Sequence, residues 1–251
     1  MLKGVEYSCQ KASRRALELF ERALELIGQN KDKSINEWTL KNHIADVYVF
    51  LGKYEEAIER MKDNNIEGLN NGHIGFTIAT ALHQPEDALG YLSDALIDHV
   101  MRIFRLVTGY ANAYSEMKDY DSAMKILLWS RDLLNGLSLP GINSYLDKAD
   151  AQLLTACAVV AAQDQAMDQA RHYLMQAVRA ARRFDAQPDY GFSGIRFYHS
   201  SKPHTAFDSF GKTTMEGIHR MISEQEAEKD SLLEIMDDLT NSKAIIKESS
   251  S

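Results

Sequence analysis

The stretch Ile44-Ala45-Asp46-Val47-Tyr48-Val49-Phe50-Leu51-Gly52-Lys53-Tyr54-Glu55-Glu56-Ala57-Ile58 decides the fold. Apolar residues recur in it at helical spacing as far as Leu51. Gly52-Lys53 interrupts the pattern, and a second helical run starts at Tyr54, with the small residue Ala57 one turn in. The same order returns in Ala111-Asn112-Ala113-Tyr114-Ser115-Glu116-Met117-Lys118-Asp119-Tyr120-Asp121-Ser122-Ala123-Met124. Each copy holds a small residue, a Tyr one turn on, a break, a second Tyr, and then an Ala. Antiparallel helices approach closely only where one carries a small side chain, which Ala45, Ala57, Ala111 and Ala123 supply. Tyr48 and Tyr114 lie one turn along the same face and can cover the partner helix. Two copies of one spacing point to an internal repeat.

At these residues the sequence resembles the tetratricopeptide repeat. Weaker copies extend the register. Ala16, Phe20 and Ala23 read as the second helix of an earlier repeat, with Tyr7 in its first helix. Ala88, Leu92 and Ala95 read as another second helix, opened by Pro85-Glu86-Asp87, with Pro suited to a first turn. Ala170, Leu174 and Ala177 read as the last. The recurring alanines are spaced by roughly 38 residues, close to the repeat's usual length of about 34. Inserts are expected at Gly28 to Lys33 and at Gly136 to Gly141. The expected fold is therefore all-α: a right-handed superhelix of about five helix pairs over residues 1–184. Residues 185–251 add an ordered aromatic loop, a capping helix and an acidic tail on the same solenoid.

Composition agrees and excludes other classes. The 251 residues are 45% hydrophobic and 25% charged, which is ordinary for a globular chain and not for a disordered or fibrous one. Pro occurs only 4 times, which favours long helices. The net charge of -8 argues against broad attraction to nucleic acid or anionic membrane. The 2 cysteines, Cys9 and Cys157, lie far apart, so a disulfide framework or a four-cysteine zinc site is not expected and a reducing cytoplasm is. The N-terminal residues lack the apolar core of a secretory signal, and no apolar run reaches the length of a membrane span.

From Asp185 to Lys212 the character changes. This stretch holds Pro188, Pro203, Gly191, Gly194 and Gly211 among the aromatics Tyr190, Phe192, Phe197, Tyr198, Phe207 and Phe210. A flexible linker is not so aromatic, so an ordered loop is expected. A helix follows from Thr213, with Met215, Ile218, Met221 and Ile222 on one face. Beyond Ser223 the tail is acidic but keeps Leu232, Leu233 and Met236, able to cap the last repeat or dock on a partner chain.

Several segments resemble the C-terminal regions of bacterial Xre-type helix-turn-helix transcriptional regulators. They are Ala45 to Arg60, Tyr91-Leu92-Ser93-Asp94-Ala95, Leu127-Leu128-Trp129, and above all Arg182-Arg183-Phe184-Asp185-Ala186-Gln187-Pro188-Asp189-Tyr190-Gly191. Gly194 to His199, Thr205 to Asp208 and Met215 to Ile218 continue it. The resemblance runs over residues 8–222. Those regulators carry their DNA-binding module before the repeats, whereas this chain starts within repeat helices. The resemblance therefore implies a ligand-sensing and dimerising role, with no direct nucleic-acid binding by this chain. It also implies a short signalling peptide as ligand. The rival expectation is a stand-alone scaffold for protein partners.

In repeat register the concave face presents Asn42, Asp46 and Val49, then Thr108, Asn112 and Ser115, then Thr155 and Val159. Asn suits a peptide ligand because one amide meets both backbone N–H and C=O, and Asn112 is the best placed. The alternative is a solvated inner face. A clamp for a C-terminal carboxylate needs several Lys and Asn at fixed inner positions, and that set is missing. Arg171, Arg179, Arg182, Arg183 and Arg196 form a basic stripe suited to an anion or acidic peptide. The alternative is pairing with the acidic tail, or plain solvation. His199, His204 and Asp208 match no metal-ligand spacing, so ordinary loop hydrogen bonding is expected there and no metal or cofactor. No phosphate loop, nucleophile elbow or zinc-protease motif occurs, Cys157 reads as a small core residue, and enzymatic activity is not expected.

Overall fold

Gly52 adopts a left-handed conformation (φ 73°) in the computed structural model, and three non-glycine residues repeat it: His83 (55°), Lys118 (59°) and Gln165 (61°). Each ends a helix and reverses the chain. At three of the four, the N–H of the next residue reaches back five residues: Lys53 to the Tyr48 carbonyl (2.9 Å), Asp119 to Tyr114 (2.9 Å) and Ala166 to Ala161 (2.8 Å). This is the glycine-type helix stop, satisfying carbonyls the helix end leaves open. Ala57, Ala88, Ala123 and Ala170 follow these turns, and each is buried against the partner helix. One local geometry, used four times, makes an all-α fold of tetratricopeptide-like helix pairs.

The structure describes residues 2–29, 36–199 and 210–241, and among them ten α-helices. They are α1 (Leu2–Leu26), α2 (Glu37–Phe50), α3 (Tyr54–Asp63), α4 (Asn71–Ala81), α5 (Pro85–Glu116), α6 (Tyr120–Leu137), α7 (Tyr145–Gln163), α8 (Met167–Ala186), α9 (Thr214–Ser223) and α10 (Lys229–Asn241). Side chains of the short polar residues set several starts. Asn36 accepts from the Thr39 N–H at α2, Asp119 from Ser122 at α6, and Thr213 from Glu216 at α9. Ser144 and Asp147 form a reciprocal capping box at α7.

Two expected breaks are not there. Tyr7 and Ala16 lie on the single helix α1, not on a helix pair. The second helix at Ala88 and the first helix at Ala111 are halves of the 32-residue α5. Nothing between Ala95 and Ala111 stops a helix except Gly109, which a helix tolerates. Among the described residues the repeat-type turns therefore number four, and α9 with α10 adds a terminal pair without the signature.

The chain divides into two compact units, with the division at His99 and Val100, inside α5. In the first unit α1 packs on α2, α2 on α3 and α3 on α4. Its core joins Ala45, Ile58, Met61, Ile74, Ile78 and Ala88. Gly75 takes the small-residue position of α4, because a Cβ there would stand 2.7 Å from Leu92 Cγ. In the second unit α6 packs on α7, α7 packs extensively on α8, and α9 and α10 close over α8. Leu154, Ala158, Leu174, Ala177, Ala181, Ile218, Ile222 and Leu232 share one core there. Leu232 is fully buried and Met236 and Leu239 nearly so, and each such burial contributes about 1.5–3 kcal/mol. The apolar residues of the acidic tail thus cap the last repeat within the chain. Residues 184 and 185 lie inside this unit, Phe184 fully buried and Asp185 accepting from the N–H groups of Thr214 (2.8 Å) and Met215 (3.1 Å). No described helix is long and apolar enough to cross a membrane.

Candidate functional site

A cavity lies in the second unit, between the C-terminal half of α5 and α7. Met101, Phe104, Arg105, Thr108 and Gly109 face Tyr145, Ala149, Gln152 and Leu153, with Phe210 and Arg220 at one side, around a cavity of about 450 Å³. That is the size of a pocket for a short peptide segment or a small ligand. Its floor is apolar, since Phe104, Tyr145, Ala149, Leu153 and Phe210 are all buried. Its polar groups are few: Arg105, Thr108, Gln152 and Arg220. Arg220 lies 3.8 Å from Glu224. Arg105 is exposed and makes no ion pair or hydrogen bond among the described residues. The floor gives non-directional attraction, and the guanidinium and amide fix orientation and favour an anionic group.

The expected groove residues have different fates. Thr108 lines this cavity, its hydroxyl donating to the Phe104 carbonyl at 3.0 Å. Asn112, exposed, stands one turn beyond it on the same helix. Ser115 borders a smaller polar pocket of about 200 Å³ with Lys118, Tyr120, Gln163 and Gln165. Thr155 is fully buried and its hydroxyl returns to the Ala151 carbonyl at 2.8 Å, so it cannot meet a groove ligand. Val159 is buried in the core that α9 and α10 complete.

In the first unit Asn42 is also consumed by the fold. Its Oδ1 accepts from Asn64 (2.8 Å) and Asn70 (3.0 Å). Asn64 further donates to the Trp38 carbonyl and Trp38 Nε1 to the Asn64 carbonyl, both at 3.0 Å. Asp46 keeps partial exposure and lies 3.6 Å from His73 Nδ1 and 3.9 Å from His43 Nδ1. Phe50 and Phe76 stand exposed in α2 and α4.

The basic stripe is largely spent on internal contacts. Arg171 lies 3.7 Å from Asp238 on α10. Arg182 donates to the Thr240 carbonyl at 2.7 Å, Arg183 pairs with Asp147, and Arg196 donates to the Ser138 carbonyl at 3.2 Å. Arg179 is engaged as well. The aromatic segment is equally structural. Tyr190 meets Phe184 edge-on at 5.4 Å, and Phe192 meets Tyr145 at 6.3 Å. Leu139 N–H donates to the Gly194 carbonyl at 2.8 Å and Arg196 N–H to the Leu137 carbonyl at 2.7 Å, pinning the loop to the connection before α7. Lys148, buried, donates to Tyr190 Oη (3.3 Å) and the Gly211 carbonyl (3.2 Å).

His199 is exposed, and its backbone N–H donates to Ser93 Oγ at 3.0 Å. His204 and Asp208 lie outside the described residues. Among the described residues no three His, Cys, Asp or Glu side chains gather as metal ligands. Cys157 is fully buried, and burial pushes its thiol up to about 12, the wrong direction for a nucleophile. Reading from sequence missed Arg105 and Gln152. Both stand at inner-face positions of first helices, one turn before Thr108 and Thr155, so the register already pointed at them.

Comparison with protein families matches residues 39–62 to a tetratricopeptide repeat. That span covers most of α2 and nearly all of α3, the pair that carries Tyr48 and Ala57. No match to the chain was found among the curated proteins or the solved structures. The repeat supports a protein–protein interaction module.

Proposed function

We propose that the chain is a regulatory protein- and peptide-binding module whose ligand is a short peptide bearing an acidic side chain, received by the groove between α5 and α7. The observation that carries this reading is Arg105, a guanidinium with no partner among the described residues, beside an apolar-floored cavity of about 450 Å³. An acidic residue of the peptide meets Arg105, its backbone meets Gln152 and Asn112, and an apolar side chain enters over Leu153 and Phe210. No chemistry is catalysed; the work is recognition.

The finer reading is that the chain forms the ligand-sensing and dimerisation part of a bacterial transcriptional regulator, acting in the cytoplasm. The resemblance over residues 8–222 supports it. The test is a thermal scan against a library of short acidic and neutral peptides. A ligand at 100 times its Kd adds about 2.7 kcal/mol to the folded state, roughly 5–10 °C in Tm for a chain of this size. Acidic peptides should give that rise, and Arg105→Glu should remove it. A library without a single shift, or shifts from neutral peptides alone, would count against the reading.

A further inference from the structure

The C-terminal half of α5 has a third face, apart from its core face and its groove face. Val100, Phe104, Val107 and Ala111 form the core face. Met101, Arg105 and Thr108 border the groove. On the remaining side Leu106, Tyr110 and Met117 are 62%, 56% and 72% exposed. Ala113, also exposed, stands between them. Positions 106, 110, 113 and 117 alternate four and three residues apart, which is the spacing of a coiled-coil seam. The half-buried Ile103 continues it one turn earlier. Beside Tyr110, Gly109 has open space where a Cβ would stand, so another helix can come close to this backbone.

The seam is flanked by opposite charges. Arg102 lies beside its N-terminal end and Glu116 beside its C-terminal end, on the same flank. Both are exposed, and neither has an ion-pair partner among the described residues.

We propose that this face docks on its own counterpart in a second copy of the chain, the two helices running antiparallel about a two-fold axis near Gly109 and Tyr110. The charges select both occupant and direction. Antiparallel pairing puts Arg102 of each copy beside Glu116 of the other, two ion pairs by symmetry. A parallel pair would carry the two charged flanks on opposite sides of the seam and form neither ion pair. In the antiparallel arrangement Leu106 of one copy meets Ala113 of the other, a large side chain against a small one. This inference rests on the dimerisation half of the proposed function and not on peptide binding, because seam and groove are adjacent faces of one helix that share only Gly109.

Sedimentation of the full chain over a concentration series tests it. One helix face is a small interface, so association is expected with Kd on the order of 10 µM. The mass should climb from the 28.3 kDa of one chain toward twice that value. Leu106→Glu and Tyr110→Glu, both at exposed positions, should hold the chain at one copy, with helical content and Tm unchanged. Arg102→Glu and Glu116→Arg should each weaken association roughly tenfold, and the double variant should restore it. A single copy at every concentration would overturn the proposal. So would a dimer indifferent to Leu106→Glu and Tyr110→Glu, or a double charge reversal that stays as weak as the singles. Peptide-induced Tm shifts that persist in Leu106→Glu would leave groove binding standing whichever way the sedimentation falls.

Discussion

The Asn70 side-chain amide donates to Asn42 Oδ1 at 3.0 Å, and the same oxygen takes the Asn64 amide at 2.8 Å. One acceptor on α2 thus gathers the end of α3 and the start of α4. Asn64 and Asn70 are both buried, so truncating either leaves polar groups unmet. Asn64→Ala and Asn70→Ala should each lower stability by about 1–3 kcal/mol in urea unfolding. Because they share Asn42, the double variant should lose less than the sum. Strict additivity would mean the amides act independently.

The three non-glycine left-handed turns make an opposite prediction. An L side chain in this conformation costs about 1–2 kcal/mol. Lys118 is exposed and stands at φ 59°. Lys118→Gly should therefore raise Tm, with a net gain of about 0.5–1 kcal/mol after the unfolded chain's added freedom. Gly52→Lys should lower it by a similar amount. The pair of thermal scans checks whether these turns share one geometry.

Cys157 predicts a slope at high pH. Its folded thiol is pushed up to about 12 by burial, while the unfolded thiol ionises near its ordinary value of 9.0. Above that lower value the unfolded chain holds fewer protons than the folded one, so stability falls as pH rises. The fall approaches about 1.4 kcal/mol per pH unit from this one group. Tyr173, raised by burial, acts in the same direction. Cys157→Ala should flatten the slope by the thiol's share in urea titrations from neutral pH upward.

Asp185 joins α8 to α9 by accepting from the N–H groups of Thr214 and Met215. Asp185→Ala removes both acceptor contacts at the helix start, at a cost of about 1–2 kcal/mol. Amide exchange should accelerate first across α9 and α10, with α2 and α3 unchanged. Uniform acceleration across the chain would show that the cap has no local role.

The repeat was legible because its alanines and tyrosines have few other reasons to recur at that spacing. Ala45, Ala57, Ala88, Ala111, Ala123 and Ala170 are all buried, as close helix approach requires. The helix breaks were less legible. Three of the four reversing residues are His83, Lys118 and Gln165, which carry no turn signal of their own. The junction of Ala95 with Ala111 looked like a repeat boundary, yet no residue there stops a helix, and α5 runs through.

The site was legible in part. Register alone put Thr108 on the side of α5 that borders the cavity, and the same register holds Arg105 and Gln152, whereas Asn112 stands one turn beyond the lining. It could not show that Asn64 and Asn70 occupy Asn42, nor that α9 and α10 complete the core around Thr155 and Val159. Those outcomes depend on packing between distant segments. The Arg182 to Tyr198 motif reads as distinctive because so many of its residues hold α6, α7 and α8 together. Gly194 illustrates it: a Cβ there would stand 2.7 Å from the Ser144 Cβ at the start of α7.

The central claim is that the groove between α5 and α7 receives an acidic peptide. The most direct measurement is an NMR titration of the full chain with an acidic peptide that raises Tm, following the methyl signals of Met101, Thr108, Ala149 and Leu153. The account predicts saturable shifts concentrated on these four residues and lost in Arg105→Glu. Shifts centred on Phe50 and Phe76 instead, or shifts that survive Arg105→Glu unchanged, would contradict it.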